Sequence, residues 1–316
     1  QSRARSRPLM AGAAPKIAGD DQAACVLGVT SSYGGKRWRA RLADSRLGLA
    51  LAQRLALPEI VGRVMAGRGI TLESADHYLN PTLRALLPDP SHLRDMDRAA
   101  SRLVDAVRSG ETIGILGDYD VDGATSSALL LRFFTAVGAR AVVYVPDRIK
   151  EGYGPSLGGV ESFLSAGAKV MITVDCGITA FDVLDAAASA GLDVIVVDHH
   201  VAEPRLPRAC AVVNPNRLDE TSPHRHMAAV GLAFLLAIAT SRALRAAGWY
   251  GADRPEPDLL TWLDLVALGT ICDVVPLVGV NRALVAQGLK ILGRRGNPGL
   301  AALGDVAGVK VPPGAY

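Results

Sequence analysis

The sequence predicts an α/β fold: a mostly parallel sheet flanked by helices, with helical N-terminal and C-terminal extensions. Three observations predict it. From residue 112 onward, short runs that are apolar throughout alternate with longer helical patterns. Strands buried on both faces read this way, and the alternation gives a Rossmann-like parallel arrangement. Carboxylate and imidazole residues follow the strand-like runs, where open α/β sheets bind their ligands. The stretches before 110 and after 214 carry helical periodicity.

The elements follow in order. Residues 1–42 include Arg3, Arg5, Arg7, Lys16, Lys36, Arg37, Arg39 and Arg41, and are expected to be a basic, partly disordered N-terminus. Residues 43–110 read as a helical region. Leu47, Leu49, Leu51, Leu55 and Ile60 form one apolar stretch there, Thr71, Ser74 and Ala75 begin another, and Pro81 and Pro88-Asp89-Pro90 punctuate. Strands are expected at 112–117, 141–145, 170–174, 194–197 and 211–213. Helices are expected between them at 125–137, 155–166 and 180–190, then at 227–247, 258–269 and 282–292. Residues 296–316 read as a linker.

Composition narrows the class. The chain has 316 residues, 49% hydrophobic and 21% charged, which suits a folded core and excludes a disordered chain. A net charge of +3 excludes a uniformly basic nucleic-acid coat. A basic edge beside an acidic centre suits a polyanionic substrate meeting a metal site. Cys25, Cys176, Cys210 and Cys272 form no CxxC pair, so no zinc knuckle is expected, and scattered thiols suit a cytoplasmic protein. The apolar run 227–240 is shorter than the roughly 20 residues of a membrane helix, so no membrane partner is expected. No apolar secretory segment is evident near the start. Trp38, Trp249 and Trp262 are too scattered to make a stacking platform.

The chemistry sits after the strands. Asp118, Asp120 and Asp122 follow the first, Asp175 the third, and Asp198, His199 and His200 the fourth. Any one Asp after a strand reads equally well as a cap or turn residue. The Asp-x-Asp-x-Asp run is similar to a calcium loop, yet it lacks the Glu at position twelve and a strand precedes it. Brought to one sheet edge, these groups repel one another unless a cation joins them. Asp oxygens with His nitrogens suit Mn²⁺, Mg²⁺ or Zn²⁺, and so many carboxylates suggest two ions about 3.5–4 Å apart. The Gly123-Ala-Thr-Ser126 turn, opening a helix, would favour a phosphate.

Four ordered motifs carry a family resemblance over residues 43 to 300. Asp118-Tyr-Asp-Val-Asp-Gly123, Val174-Asp-Cys-Gly177, Asp198-His199-His200 and Gly269-Thr-Ile-Cys-Asp-Val-Val-Pro-Leu277 resemble motifs I to IV of the DHH phosphoesterase superfamily. Arg148-Ile-Lys-Glu-Gly-Tyr-Gly154, Val213-Asn-Pro215, Ala229-Val-Gly-Leu-Ala-Phe234 and Asn281-Arg-Ala-Leu284 resemble its RecJ-type family. The family usually has Gly near Ala229 and often Ala where Cys272 stands; neither change removes a ligand.

The resemblance implies metal-dependent hydrolysis of single-stranded DNA from the 5′ end, releasing 5′-mononucleotides in DNA repair and recombination. It implies two Mn²⁺ or Mg²⁺ ions held by Asp118, Asp120, Asp122, Asp175, His199 and Asp273, with Asp175 bridging. His200 is then the donor facing the scissile phosphate, with Asp198 orienting the histidines. Arg148, Tyr153, Thr125 and Ser126 are the expected substrate-binding residues, with a structural salt bridge as the competing role for Arg148. A single-strand-binding protein and a helicase are the implied partners. Residues 111–295 are the implied DHH catalytic domain, and 296–316 would lead toward DHHA1 and oligonucleotide-binding (OB) domains absent from this sequence. The rival expectations are a small-substrate DHH phosphodiesterase of the nanoRNase or cyclic-dinucleotide type, and a non-catalytic DHH scaffold.

Overall fold

A computed structural model describes residues 25–42 and 45–309, in two units that divide after Ala75. Arg3, Arg5, Arg7 and Lys16, expected in a partly disordered segment, lie outside the described residues, as does the end of the predicted linker.

In the first unit, helices α1 (Arg46–Leu55) and α2 (Glu59–Gly67) pack against each other. Gly62 makes that approach possible: a Cβ there would lie 2.1 Å from the Gly48 carbonyl oxygen.

The second unit opens with α3 (Ala75–Leu79), α4 (Leu83–Leu86) and α5 (Met96–Ser109). The α/β segment follows as β1 (Thr112–Gly117), α6 (Val121–Ala136), β2 (Ala141–Tyr144), α7 (Leu157–Ser165), β3 (Ala168–Val174), α8 (Phe181–Ser189), β4 (Asp193–Val197) and β5 (Ala211–Val213). Helices α9 (Ala229–Ala246), α10 (Leu263–Cys272), α11 (Gly279–Gly293) and α12 (Pro298–Val306) complete it.

The five strands pair in the order β2-β1-β3-β4-β5, every pair parallel. All C-terminal strand ends therefore face one edge. The order reverses between β1 and β3, which is where such sheets open a ligand crevice. Side chains alternate between the faces. Ile113, Ile115, Ile172, Val174, Ile195 and Val197 join α5, α6 and α9 in one core. Leu116, Met171, Val194 and Val196 join Phe163 of α7 and Leu184 of α8 in the other. Helix α9 has the length and hydropathy of a membrane span, but 72% of it is buried inside the unit, as a core helix is.

The structure departs from the sequence expectation at helix starts. Helix α6 begins at Val121, not 125, because the Asp120 carboxylate caps it, accepting from the Gly123 N–H at 3.0 Å. Asp122 and Gly123 thus sit in its first turn. Gly123 is required there, since a Cβ would lie 2.4 Å from the Asp118 carbonyl oxygen. Helix α10 follows a short 3₁₀ turn at Leu259–Trp262 and runs to Cys272, three residues past the expected end, so Asp273 is its C-cap. Helix α12 occupies much of the stretch read as a linker, capped by the Asn297 side chain with Pro298 in its first turn.

Phe234 is fully buried in the α9 core. Phe234→Ala is expected to cost about 3–5 kcal/mol of stability, measured from the denaturant midpoint of metal-loaded protein. A loss far smaller than this would mean that α9 is not packed as described.

Candidate metal centre

Register builds the site. The N–H of Asp118 donates to Val174 O (3.2 Å), that of Asp175 to Val197 O (3.0 Å) and that of Asp198 to Val213 O (3.1 Å). Each carboxylate is the first residue beyond its strand, and the sheet hydrogen-bond pattern sets them side by side. Asp175 takes φ 62°, a left-handed conformation costly for a residue with a Cβ and frequent at functional sites.

The donors form an overlapping chain. Asp118, Asp120 and Asp175 offer ligand atoms within 4.8 Å of one another, as do Asp175, His199 and His200, and Asp122, His199 and Asp273. Asp175 and His199 each belong to two groups, so the groups run continuously into one another. Asp118 Oδ1, Asp175 Oδ1, His199 Nε2 and Asp273 Oδ2 are buried with no hydrogen-bond partner among the described residues. His199 Nε2 lies 3.2 Å from Asp175 Oδ1, and Nδ1 lies 3.8 Å from Asp273 Oδ2. Buried polar atoms left unpaired cost about 1–3 kcal/mol each. A divalent cation among them satisfies them together, so the residues present fit the metal that their chemistry implies.

The electrostatics agree. Burial, then the charges of Asp122 and Asp120, push the Asp175 carboxyl up to about 10. Burial pushes Asp122 up to about 6, against hydrogen bonds that favour its charge. Burial also raises Asp118 and Asp273. Asp122 has further anchors: its two oxygens accept from the N–H groups of Ala229 (2.6 Å) and Val230 (2.8 Å) at the start of α9. Those contacts tie α6 to the positive end of α9.

Asp198 is buried and meets this chain of donors through the His200 ring. Its Oδ1 accepts from His199 N (2.7 Å), His200 N (3.1 Å) and His200 Nδ1 (2.7 Å), and its Oδ2 from Ile178 N (3.0 Å). The hydrogen bond to Asp198 raises the His200 pKa, favouring the imidazolium. Tyr153 OH donates to the Asp175 carbonyl (3.0 Å) and lies 3.3 Å from His200 Nδ1. Burial raises the Tyr153 pKa, keeping that proton in place. Arg148 makes no ion pair among the described residues; its guanidinium lies 5.2 Å from the Tyr119 ring, which meets Tyr153 edge-on.

Two expected substrate contacts are corrected. Thr125 is 5% exposed and spends its hydroxyl on the Val121 carbonyl (2.7 Å), and Ser126 is fully buried. Because α6 starts at Val121, both residues lie past its first turn, and their N–H groups are not the free ones at its N-terminus that were expected to favour a phosphate. Residues not anticipated from sequence also act here. Asn214 Nδ2 donates to His200 O (3.0 Å) and Asn216 Nδ2 to His199 O (2.6 Å), while Asn216 N donates to Asn214 Oδ1 (2.7 Å). Asn214 lies in the Val213-Asn-Pro215 stretch that carries the family resemblance, while the signal for Asn216 was only a polar residue just after the fifth strand.

Comparison with known proteins agrees with this geometry. The chain belongs to the DHH family, whose N-terminal domain matches residues 112–270. It is 41% identical over 256 residues to the single-stranded-DNA-specific exonuclease RecJ of Dickeya dadantii, covering 80% of this chain and 44% of that one. It is 38% identical over 273 residues to RecJ of Bacillus subtilis, covering 86% and 33%. The chain thus spans less than half the length of these relatives. The fold superposes on RecJ of Thermus thermophilus in complex with Mn²⁺ with a TM-score of 0.67 at 32% identity, over 84% of this chain and 36% of that one.

The raised Asp175 pKa fixes a sign. A carboxyl whose folded pKa lies above its unfolded value stabilises most at low pH, and that contribution is lost as pH rises toward the folded value. In chelator, the melting temperature is expected to fall between pH 5 and about 9, and Asp175→Asn is expected to remove most of that fall. Mn²⁺ is expected to raise the melting temperature more at pH 8 than at pH 6. A Mn²⁺ effect independent of pH would contradict the crowded-carboxylate description.

Proposed function

We propose that this protein hydrolyses single-stranded DNA from its 5′ end with Mn²⁺ or Mg²⁺, releasing 5′-mononucleotides in DNA repair and recombination. The observation that carries the reading is the set of buried, unpartnered donors on Asp118, Asp175, His199 and Asp273 at one sheet edge. Oxygen-rich ligand sets suit these hard cations. The single-stranded-DNA substrate class rests on the similarity to RecJ exonucleases.

In this reading Asp118, Asp120 and Asp175 would hold one cation and Asp122, His199 and Asp273 a second, with Asp175, which also groups with His199, placed to serve both. Bound divalent cations supply positive charge to the phosphate oxygens and acidify a water. The chain's own groups do the rest. Asp198 accepts from His200 Nδ1–H and favours the protonated ring, in which Nε2–H can donate to the departing oxygen. Tyr153, anchored on the Asp175 carbonyl, fixes the other side of that ring. Arg148, which makes no ion pair among the described residues and lies over the Tyr119 ring, offers its guanidinium to a backbone phosphate, with Tyr153 offering a ring face for a base. A single-strand-binding protein and a helicase are the partners that the family resemblance implies. The cytoplasm, where the free cysteines stay reduced, is the compartment that suits this role.

Release of nucleotides from 5′- and 3′-labelled single strands in Mn²⁺ tests the reading. The 5′ label is expected first, with no release by Asp175→Ala and a kcat about 100-fold lower in His200→Ala. Release that survives Asp175→Ala would overturn the metal-site mechanism. Activity restricted to strands of a few nucleotides would reassign the chain to the small-substrate phosphodiesterases.

A further inference from the structure

Three site-bearing segments share a feature beyond their acids and histidines. Each continues, in the next residue, with an exposed valine: Val121 after Asp120 (40% exposed), Val201 after His200 (82%) and Val274 after Asp273 (84%). Single exposed apolar residues are ordinary. One directly following a site residue on each of three separate segments is not explained by packing, because none of them belongs to either core.

Val274 is the informative member. It follows the C-cap of α10 and takes φ 60°. Helices often end in this left-handed conformation, and glycine is the residue that adopts it without strain. A β-branched side chain there is costly. The strain serves no burial: the Val274 N–H closes the helix on Ile271 O (3.1 Å), the next residue, Val275, turns in against the core, and Val274 is left in solvent. Glycine would terminate the helix equally well and with less strain. An apolar side chain is kept in an unfavourable backbone conformation, and in water, at the rim of the metal centre.

We infer that Val274, with Val121 and Val201, forms an apolar collar that receives the sugar and base of the nucleotides flanking the scissile phosphate. The inference rests on the nuclease reading above. Neighbouring Cα atoms are about 3.8 Å apart, so each valine stands one residue from a group of the site. A nucleotide whose phosphate meets those groups must lay its sugar and base over the surrounding surface. Every base offers an apolar face whatever its identity, so aliphatic contacts grip a single strand without reading its sequence. Val274 is therefore a positioning residue, acting on binding and not on the bond that breaks.

The test measures melting temperature, KM and kcat for Val274→Gly and Val274→Thr in Mn²⁺. The substrates are an ordinary single strand and one whose two 5′-terminal nucleotides are abasic. Val274→Gly is expected to melt about 2–4 °C higher yet to show a KM about five-fold higher on the ordinary strand, with kcat within two-fold. Val274→Thr, which keeps the branch and adds a hydroxyl, is expected to raise KM without the thermal gain. On the abasic strand, which keeps the sugars and lacks the bases, the KM difference between the variants and the unsubstituted protein is expected to shrink to less than two-fold. A Val274→Gly protein with higher melting temperature and unchanged KM would overturn the inference, as would an equal KM rise on both strands. Absence of release from any strand by the unsubstituted protein would overturn the nuclease reading, and the collar with it.

Discussion

Mutual repulsion among acids that the sheet register forces together is the constraint on which the rest of this structure depends. Parallel pairing places Asp118, Asp175 and Asp198 side by side, each one residue past its strand. No side-chain rotation removes that crowding, since the backbone hydrogen bonds that create it are those of the core sheet. The protein answers in two ways. Asp198 is neutralised internally, by three N–H donors of the backbone and the His200 ring. Asp118 and Asp175 each keep a buried oxygen with no hydrogen-bond partner among the described residues, Asp175 Oδ1 facing only His199 Nε2 at 3.2 Å. The first arrangement fixes the His200 ring and favours its protonated form, and the second leaves donors that suit a cation.

Other elements serve to hold that tension. Helix α9 does so twice, filling one face of the sheet with its apolar body and presenting its N-terminal N–H groups to Asp122. Asn214 and Asn216, beyond β5, fasten the His199 and His200 carbonyls, so the histidine pair is fixed from the backbone as well as from Asp198. Strain is concentrated nearby: Asp175 and Val274 both take left-handed conformations, one within the donor chain and one at its rim. Stability given up at these positions goes to pre-organisation, a trade commonly found where function is built.

Much of this was legible in the sequence, because its strongest signals are periodic. Fully apolar runs between helical stretches gave all five strands and their parallel pairing, and with them the edge at which the acids gather. Helix starts were less legible. The Asp120 cap begins α6 inside the acidic motif, and a polar Asp-x-Asp-x-Asp string reads as a turn until its cap is seen. That shift of four residues is what moves Thr125 and Ser126 from the surface into the core. The contacts of Asn214, Asn216 and Tyr119 were illegible for another reason. Their roles come from contacts to groups distant in sequence or from ring stacking, and no local pattern encodes either. The left-handed backbone at Val274 runs against its residue type, so propensity argues away from it.

The central claim is that one shared carboxylate joins two cation positions. Calorimetric titration of the chelator-treated full chain with Mn²⁺ tests it most directly, comparing the unsubstituted protein with Asp175→Asn and Asp273→Asn. The account expects two Mn²⁺ per chain, loss of both in Asp175→Asn because that residue serves both positions, and retention of one in Asp273→Asn. A single ion per chain, or equal stoichiometry in all three proteins, would contradict it.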